Sequence, residues 1–184
     1  LQPDPPYPFP APPEMLGGLL LKALSGAWPT IPLRPIQADL SRRYDLVLLG
    51  YQPWYMTPSV PMHAFLKGPD ARVLVNTPVI GIMTCRAMYG RATRLFRQWI
   101  EEQGGHVVEQ RVFVDQDPRP SNMLSLGHYL RFGKDPEGGP LKRLLKPFGV
   151  GEAGRRRAHA YGTELANRLL QSRLVGNGEV QVLD

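Results

Sequence analysis

Three short hydrophobic runs stand out from a more polar background: "YDLVLLG" (Tyr44–Gly50), "PVIGIMT" (Pro78–Thr84) and "HVVEQRVFV" (His106–Val114). The first two are continuous apolar runs, as strands covered on both faces would be; the third is less uniform. Between the second and third, Ala92, Leu95, Phe96, Trp99 and Ile100 recur at i, i+3, i+4, i+7 and i+8. That spacing places them on one face of a helix, and Gly104 supplies its stop. Between the first and second, Ser59–Leu66 suits a short helix, capped by Thr57 or Ser59 with Pro58 near its start. Strand, helix, strand, helix, strand predicts right-handed βαβ units: an α/β fold, with a parallel sheet and helices on both faces.

The flanks read differently. Residues 1–13, "LQPDPPYPFPAPP", hold seven prolines. Proline fixes φ and lacks a donor, so this segment is expected to be an extended arm, with Tyr7 and Phe9 as its anchors. Glu14–Leu24 predicts a short helix with Leu16, Leu19, Leu20 and Ala23 on one side, and "WPTIPLRPI" (Trp28–Ile36) returns to extended chain. After the third strand, "DQDPRPSN" reads as a loop, "NMLSLGHYLRF" as a helix and "GKDPEGGP" as a turn. "GEAGRRRAHAYGTELANRLLQ" predicts a final amphipathic helix with Ala158, Tyr161, Leu165 and Leu169 inward, and "VGNGEVQVLD" a glycine turn and tail. The expected organisation is thus a proline-rich arm with a short helix (1–43), an α/β domain (44–170) and a tail (171–184).

At 184 residues, 42% hydrophobic and 21% charged, the chain suits one globular domain. No apolar run approaches the length of a membrane span, and no charged-then-apolar leader opens the sequence. The single cysteine, Cys85, excludes an internal disulfide framework and fits a reducing, cytoplasmic setting. The chain opens on leucine, so a processed product or a fragment is expected. Net charge is +6, partly gathered at Arg155–Arg157, at Lys142, Arg143 and Lys146, and at Arg91, Arg94 and Arg97. These clusters read as a solvated basic surface or as a docking face for an acidic partner. Nucleic acid is not indicated, for no nucleic-acid-binding motif accompanies the charge. His63, His106, His128 and His159 lack metal-ligand spacing, so no metal site is expected. The sequence contains no G-x-S-x-G and no P-loop.

The candidate chemistry sits where the strands end. In an open α/β sheet, ligands bind outside the carboxyl ends of the strands. "GYQPWYMTPS" leaves the first strand and "TCRAMYG" the second. If the strands are neighbours, Tyr51, Trp54, Tyr55 and Tyr89 line a crevice, with Thr84, Cys85 and Arg86 beside them. Such a wall suits a flat aromatic ligand. Each residue also has a plainer reading. Trp54 and Tyr55 can plug the top of the core, Cys85 can be a small buried apolar group, and Arg86 can be a solvated loop residue. Tyr89 can be a staple at a helix start, and His63 a surface or half-buried histidine.

The stretches "YDLVLLGYQPWYMTPSVPMHAFL" and "PVIGIMTCRAMYGRATRLFRQWIEEQGGHVV", in this order, resemble the second half of a flavodoxin-like protein. More narrowly, "YPFP", "GYQPWYMTPS", "TCRAMY" and "VFVDQ" are similar to flavodoxin-like dialkylresorcinol-condensing enzymes; the resemblance covers roughly residues 7–170. It implies a three-layer sandwich of which this chain is an incomplete C-terminal portion. It also implies an FMN-binding oxidoreductase with NAD(P)H or a protein as donor, a small-molecule or acyl substrate, and a place near aromatic polyketide lipid synthesis. The isoalloxazine ring would lie between Tyr51, Gln52, Pro53, Trp54 and Tyr55 on one side and Thr84, Cys85, Arg86, Ala87, Met88 and Tyr89 on the other. The family's first strand, phosphate-binding loop and second strand would precede residue 1. "TPSVP" is a weak substitute for that loop, so FMN is expected to bind this chain weakly or not at all. The first strand here would then lack its inner neighbour, leaving an edge for the proline arm, a second chain or a longer native molecule to cover. A rival reading is a non-catalytic partner protein with the same fold, docking an acidic carrier or enzyme subunit through its basic clusters.

Overall fold

A computed structural model of the chain describes residues 1–115, 121–134, 149–170 and 179–183. Its centre is a four-stranded parallel sheet, built from β1 (Val47–Tyr51), β4 (Pro78–Cys85), β5 (His106–Val114) and β6 (Glu179–Leu183) in that order. Two residue pairs, β2 (Pro53–Trp54) and β3 (Thr57–Pro58), form a small antiparallel hairpin between β1 and α2 (Val60–Lys67). A 3-10 turn over Pro69–Leu74 leads to β4, and α3 (Gly90–Glu102) joins β4 to β5. α1 (Pro13–Ser25) precedes the sheet; α4 (Ser121–Phe132) and α5 (Gly151–Leu170) follow β5.

The period-2 alternation of β4 divides the core into two layers. On one face Val79, Met83 and Cys85 pack with Met62, Phe65 and Leu66 of α2 and with Ala92, Phe96, Trp99 and Ile100 of α3. On the other, Ile80 and Ile82 meet Tyr161 and Leu165 of α5, with Leu46 and Val108. Helices therefore cover both faces of a parallel sheet, as the strand–helix alternation requires. Phe96 is fully buried and sits over Gly81, where a Cβ would come within 2.8 Å of the ring. Gly104 adopts φ 78° and its N–H donates to Glu101 O (2.9 Å), closing α3 where the sequence places the stop.

The arm is held at several points. Its residues 2–4 run against 32–34, with Asp4 N donating to Pro32 O (3.0 Å) and Arg34 N to Gln2 O (2.8 Å). The two proline-rich segments thus pair with each other, using the few donors they retain. Phe9 packs on Tyr129, and Ala11 N donates to Leu130 O (3.0 Å), fastening the arm to α4.

Several expectations are corrected. Ser59 stands at the N-cap of α2 but makes no side-chain cap bond, and the Thr57 hydroxyl donates to Trp54 O (3.0 Å) within the hairpin. Ala158 and Leu169 are exposed, because only Tyr161, Leu165 and Gly154 of α5 are buried. The C-terminal segment is not only a tail, since Glu179–Leu183 pairs with β5 from Glu109 to Phe113. The turn expected beyond Lys134 and the basic cluster Lys142, Arg143 and Lys146 lie outside the described residues. Among the described residues no helix is long and apolar enough to cross a membrane.

Candidate functional site at the carboxyl edge of the sheet

β1 and β4 are hydrogen-bonded neighbours, with Tyr51 opposite Met83. The loops that follow therefore leave the same edge. Gln52 Nε2 reaches Thr84 Oγ1 (3.4 Å) across the gap, and Ser59 N donates to Gln52 O (3.0 Å), closing the first loop at its base. At the tip of that loop Tyr55 and Met56 hold φ 51° and 67°. Two successive positive φ values form the two-residue turn that suits a tight hairpin, a role usually given to Asn-Gly. Side chains as large as Tyr and Met there cost about 1–2 kcal/mol per residue. The second loop carries a matching feature: Met88 has φ 57° and is 67% exposed.

The expected site residues divide into three groups. Gln52, Ala87 and Met88 are exposed, and Pro53, Trp54, Tyr55, Thr84 and Tyr89 are half-buried at the edge. Trp54 meets the Tyr7 ring of the arm at 5.8 Å, and the Tyr55 hydroxyl donates to Leu16 O of α1 (2.9 Å). Arm and α1 thus support the hairpin from outside. Tyr89 packs on the core side and its carbonyl accepts from Thr93 N (2.9 Å), so it anchors the start of α3.

Tyr51 and Cys85 belong to the second group, turned into the core. The Tyr51 ring stacks on Phe96 (4.1 Å between centroids, 5° between planes), and its hydroxyl donates to Gln110 Oε1 (2.8 Å). Gln110 Nε2 donates in turn to Thr93 O (3.2 Å). Burial pushes the Tyr51 phenol far above its ordinary range. Burial, aided by nearby Asp115, pushes the Cys85 thiol up to about 11. At neutral pH Cys85 is therefore a protonated thiol, poorly suited to nucleophilic attack.

Arg86 forms the third group, facing β5 and α4 instead of β1. Its Nη1 donates to Ser125 Oγ (2.9 Å), and its Nε lies 3.8 Å from Asp115 Oδ2. Asp115 N donates to Cys85 O (2.7 Å), and Asp115 Oδ2 accepts from Gly149 N (3.1 Å). The buried Arg86–Asp115 pair therefore ties together the carboxyl ends of β4 and β5. Neither Asp115 nor Ser125 was singled out from sequence; the one readable signal was a polar residue directly following an apolar strand. Both surround the guanidinium that was expected to face a ligand. Among the described residues no group of three or more His, Cys, Asp or Glu side chains could hold a metal ion.

Comparison with protein-family models, with curated proteins and with solved structures finds no match to this chain.

Proposed function

We propose that the edge between the Gln52–Ser59 and Thr84–Tyr89 loops receives a flat conjugated ring of the flavin type, and that the chain is a flavodoxin-like oxidoreductase. The observation that carries this reading is the shared edge. Loops from neighbouring strands are bridged by Gln52 and Thr84, and each holds non-glycine residues in left-handed backbone. Backbone strain of that kind concentrates at ligand clamps. Trp54 offers a half-buried aromatic face, and the loop amides offer donors and acceptors for a heterocycle's polar rim. The sequential strand order is compatible with the second half of a flavodoxin-like sheet, with β6 as one strand beyond it.

The residues present suit the ring better than the phosphate, since among the described residues no Ser/Thr- and Gly-rich strand–helix loop stands at this edge. FMN, when bound, would supply hydride and electron transfer between NAD(P)H and a small-molecule or acyl substrate. The chain's own part is to stack the ring on Trp54, orient it with Gln52 and Thr84, and exclude water through the hairpin. Cys85, held as a thiol, takes no part in covalent chemistry.

Titration of the protein against riboflavin and FMN, read by flavin fluorescence, tests this. Both should be quenched with similar affinity, because only the ring is gripped. Trp54→Ala should weaken both by about tenfold, the loss of one aromatic contact with its buried area. Absence of quenching by either flavin rejects the reading.

A second reading is supported by α5. Arg155 and Arg156 have side chains 70% exposed and share one carboxylate, Glu152. That surplus of cations suits an acidic carrier or enzyme subunit. Reversal of Arg155, Arg156 and Arg157 to Glu should abolish capture of such a partner while leaving flavin quenching intact.

A further inference from the structure

At the opposite, amino edge of the sheet lies a cleft of about 520 Å³ whose lining includes three arginines: Arg42, Arg43 and Arg72. Arg42 and Arg43 sit in the segment that leads into β1, and Arg72 in the 3-10 turn that leads into β4. Because β1 and β4 are parallel neighbours, these two approaches converge at one edge. The turn at residues 39–42 is set by Asp39, whose Oδ1 accepts from Ser41 N (3.0 Å) and from the Ser41 hydroxyl (2.5 Å). Asp39 does not line the cleft, but its pKa is lowered by its hydrogen bonds from Ser41 and, more weakly, by the Arg42 charge beside it, and the Arg42 guanidinium lies over the Tyr44 ring (5.8 Å to its centre).

The lining itself carries an excess of cations, with the Arg42 charge partly offset by Asp39 beside it. No Asp or Glu is among its lining residues, and none of the three guanidiniums is in an ion pair among the described residues. Like charges converging on one cavity repel one another and lower the stability of the chain unless an anion joins them. The guanidinium fork matches phosphate oxygens in pairs. The remaining walls complete a small-molecule site. Leu40 and Val75 give apolar surface, and Asn76, held at φ 52° with its N–H on Gly104 O (2.8 Å), gives an amide. The volume is in the range of small-ligand pockets.

We propose that this cleft binds a small phosphorylated molecule, its phosphates on Arg42, Arg43 and Arg72 and any organic portion on Leu40 and Val75. It is separate from the flavin-type edge and does not depend on that assignment.

The experiment is calorimetric titration with inorganic pyrophosphate, ADP and adenosine at low ionic strength. The protein is compared with Arg42→Gln/Arg72→Gln and with Arg155→Gln/Arg156→Gln, which removes the same two charges from α5. Arg42 and Arg72 are exposed, so their replacement leaves the core intact, and circular dichroism checks this. Pyrophosphate should bind, weaken at least about tenfold in the cleft variant, and remain unchanged in the α5 variant. Tighter binding of ADP than of pyrophosphate identifies an organic phosphate as the ligand class; equal affinity identifies the phosphate alone. Any of three results overturns the proposal: no pyrophosphate binding at millimolar concentration, equal loss in both variants, or adenosine binding as well as ADP.

Discussion

The Tyr51 hydroxyl ends a buried polar chain, donating to Gln110, which donates to the Thr93 carbonyl. Gln110 is 1% exposed, so no water can replace a lost partner. Tyr51→Phe should therefore cost about 1–3 kcal/mol, the penalty of a buried acceptor left unpaired. Adding Gln110→Leu to that variant should cost much less than the two single changes summed, because acceptor and donor leave together. Urea unfolding of the four proteins in the cycle measures this. His63 gives a residue-scale pH effect. Its Nδ1 is buried without a hydrogen-bond partner among the described residues, and its ring meets Trp99 edge-on at 4.9 Å. Burial, with a smaller push from Lys67, lowers its pKa below 6.5. The unfolded chain then binds more protons than the folded one, so stability falls as pH drops below about 6.5. His63→Phe should flatten the dependence of Tm on pH in that window. The loss that remains below about pH 4.5 belongs to carboxylates such as Glu102, whose pKa is lowered by its hydrogen bonds to Lys67 and Gln98.

At the scale of elements, β4 and α3 are joined by a missing side chain. Phe96 lies 2.8 Å from where a Gly81 Cβ would stand, and the Gln110 side chain 3.3 Å away. Both neighbours are fully buried and held, one by its stack on Tyr51 and the other by two hydrogen bonds. Gly81→Ala should thus cost about 1–3 kcal/mol by overpacking, read as a lower midpoint in denaturant at unchanged m-value. The sequence made these elements legible where burial imposes a period. His106–Val114 and the α3 face from Ala92 to Ile100 are found as their spacing predicts. It was less informative where tertiary contact overrides pattern. "EVQVL" is too short to announce β6, and the Tyr55–Met56 turn lacks the Asn-Gly that would announce a hairpin. The site was legible to the same extent. The shared edge follows from two parallel strands, but period alone could not say that Tyr51 would turn inward onto Phe96 or that Arg86 would find Asp115 and Ser125. The arginine cleft was missed because its residues arrive from turns thirty positions apart, neither of which has a hydrophobic period.

Across the whole molecule the two sheet faces are covered unequally. α2 and α3 bury one face from Tyr51 to Val112, whereas α5 covers the other mainly around Ile80. β1 pays for this imbalance: among the described residues it pairs only with β4, and Leu48 on the thinly covered face is 49% exposed beside exposed Gly50. An apolar edge strand with free N–H and C=O groups is a template for pairing with another chain. The net charge of +6 opposes such contact through long-range repulsion, but salt screens it within about 10 Å at 0.1 M. Self-association should therefore grow with salt, contrary to what an ion-paired contact would do. Leu48→Lys places a charge on the uncovered face without touching the buried one, and should suppress that growth. Light scattering across a salt series provides the measurement. Scattering from Leu48→Lys that rises with salt as steeply as from the parent chain would show that molecules meet through some other surface.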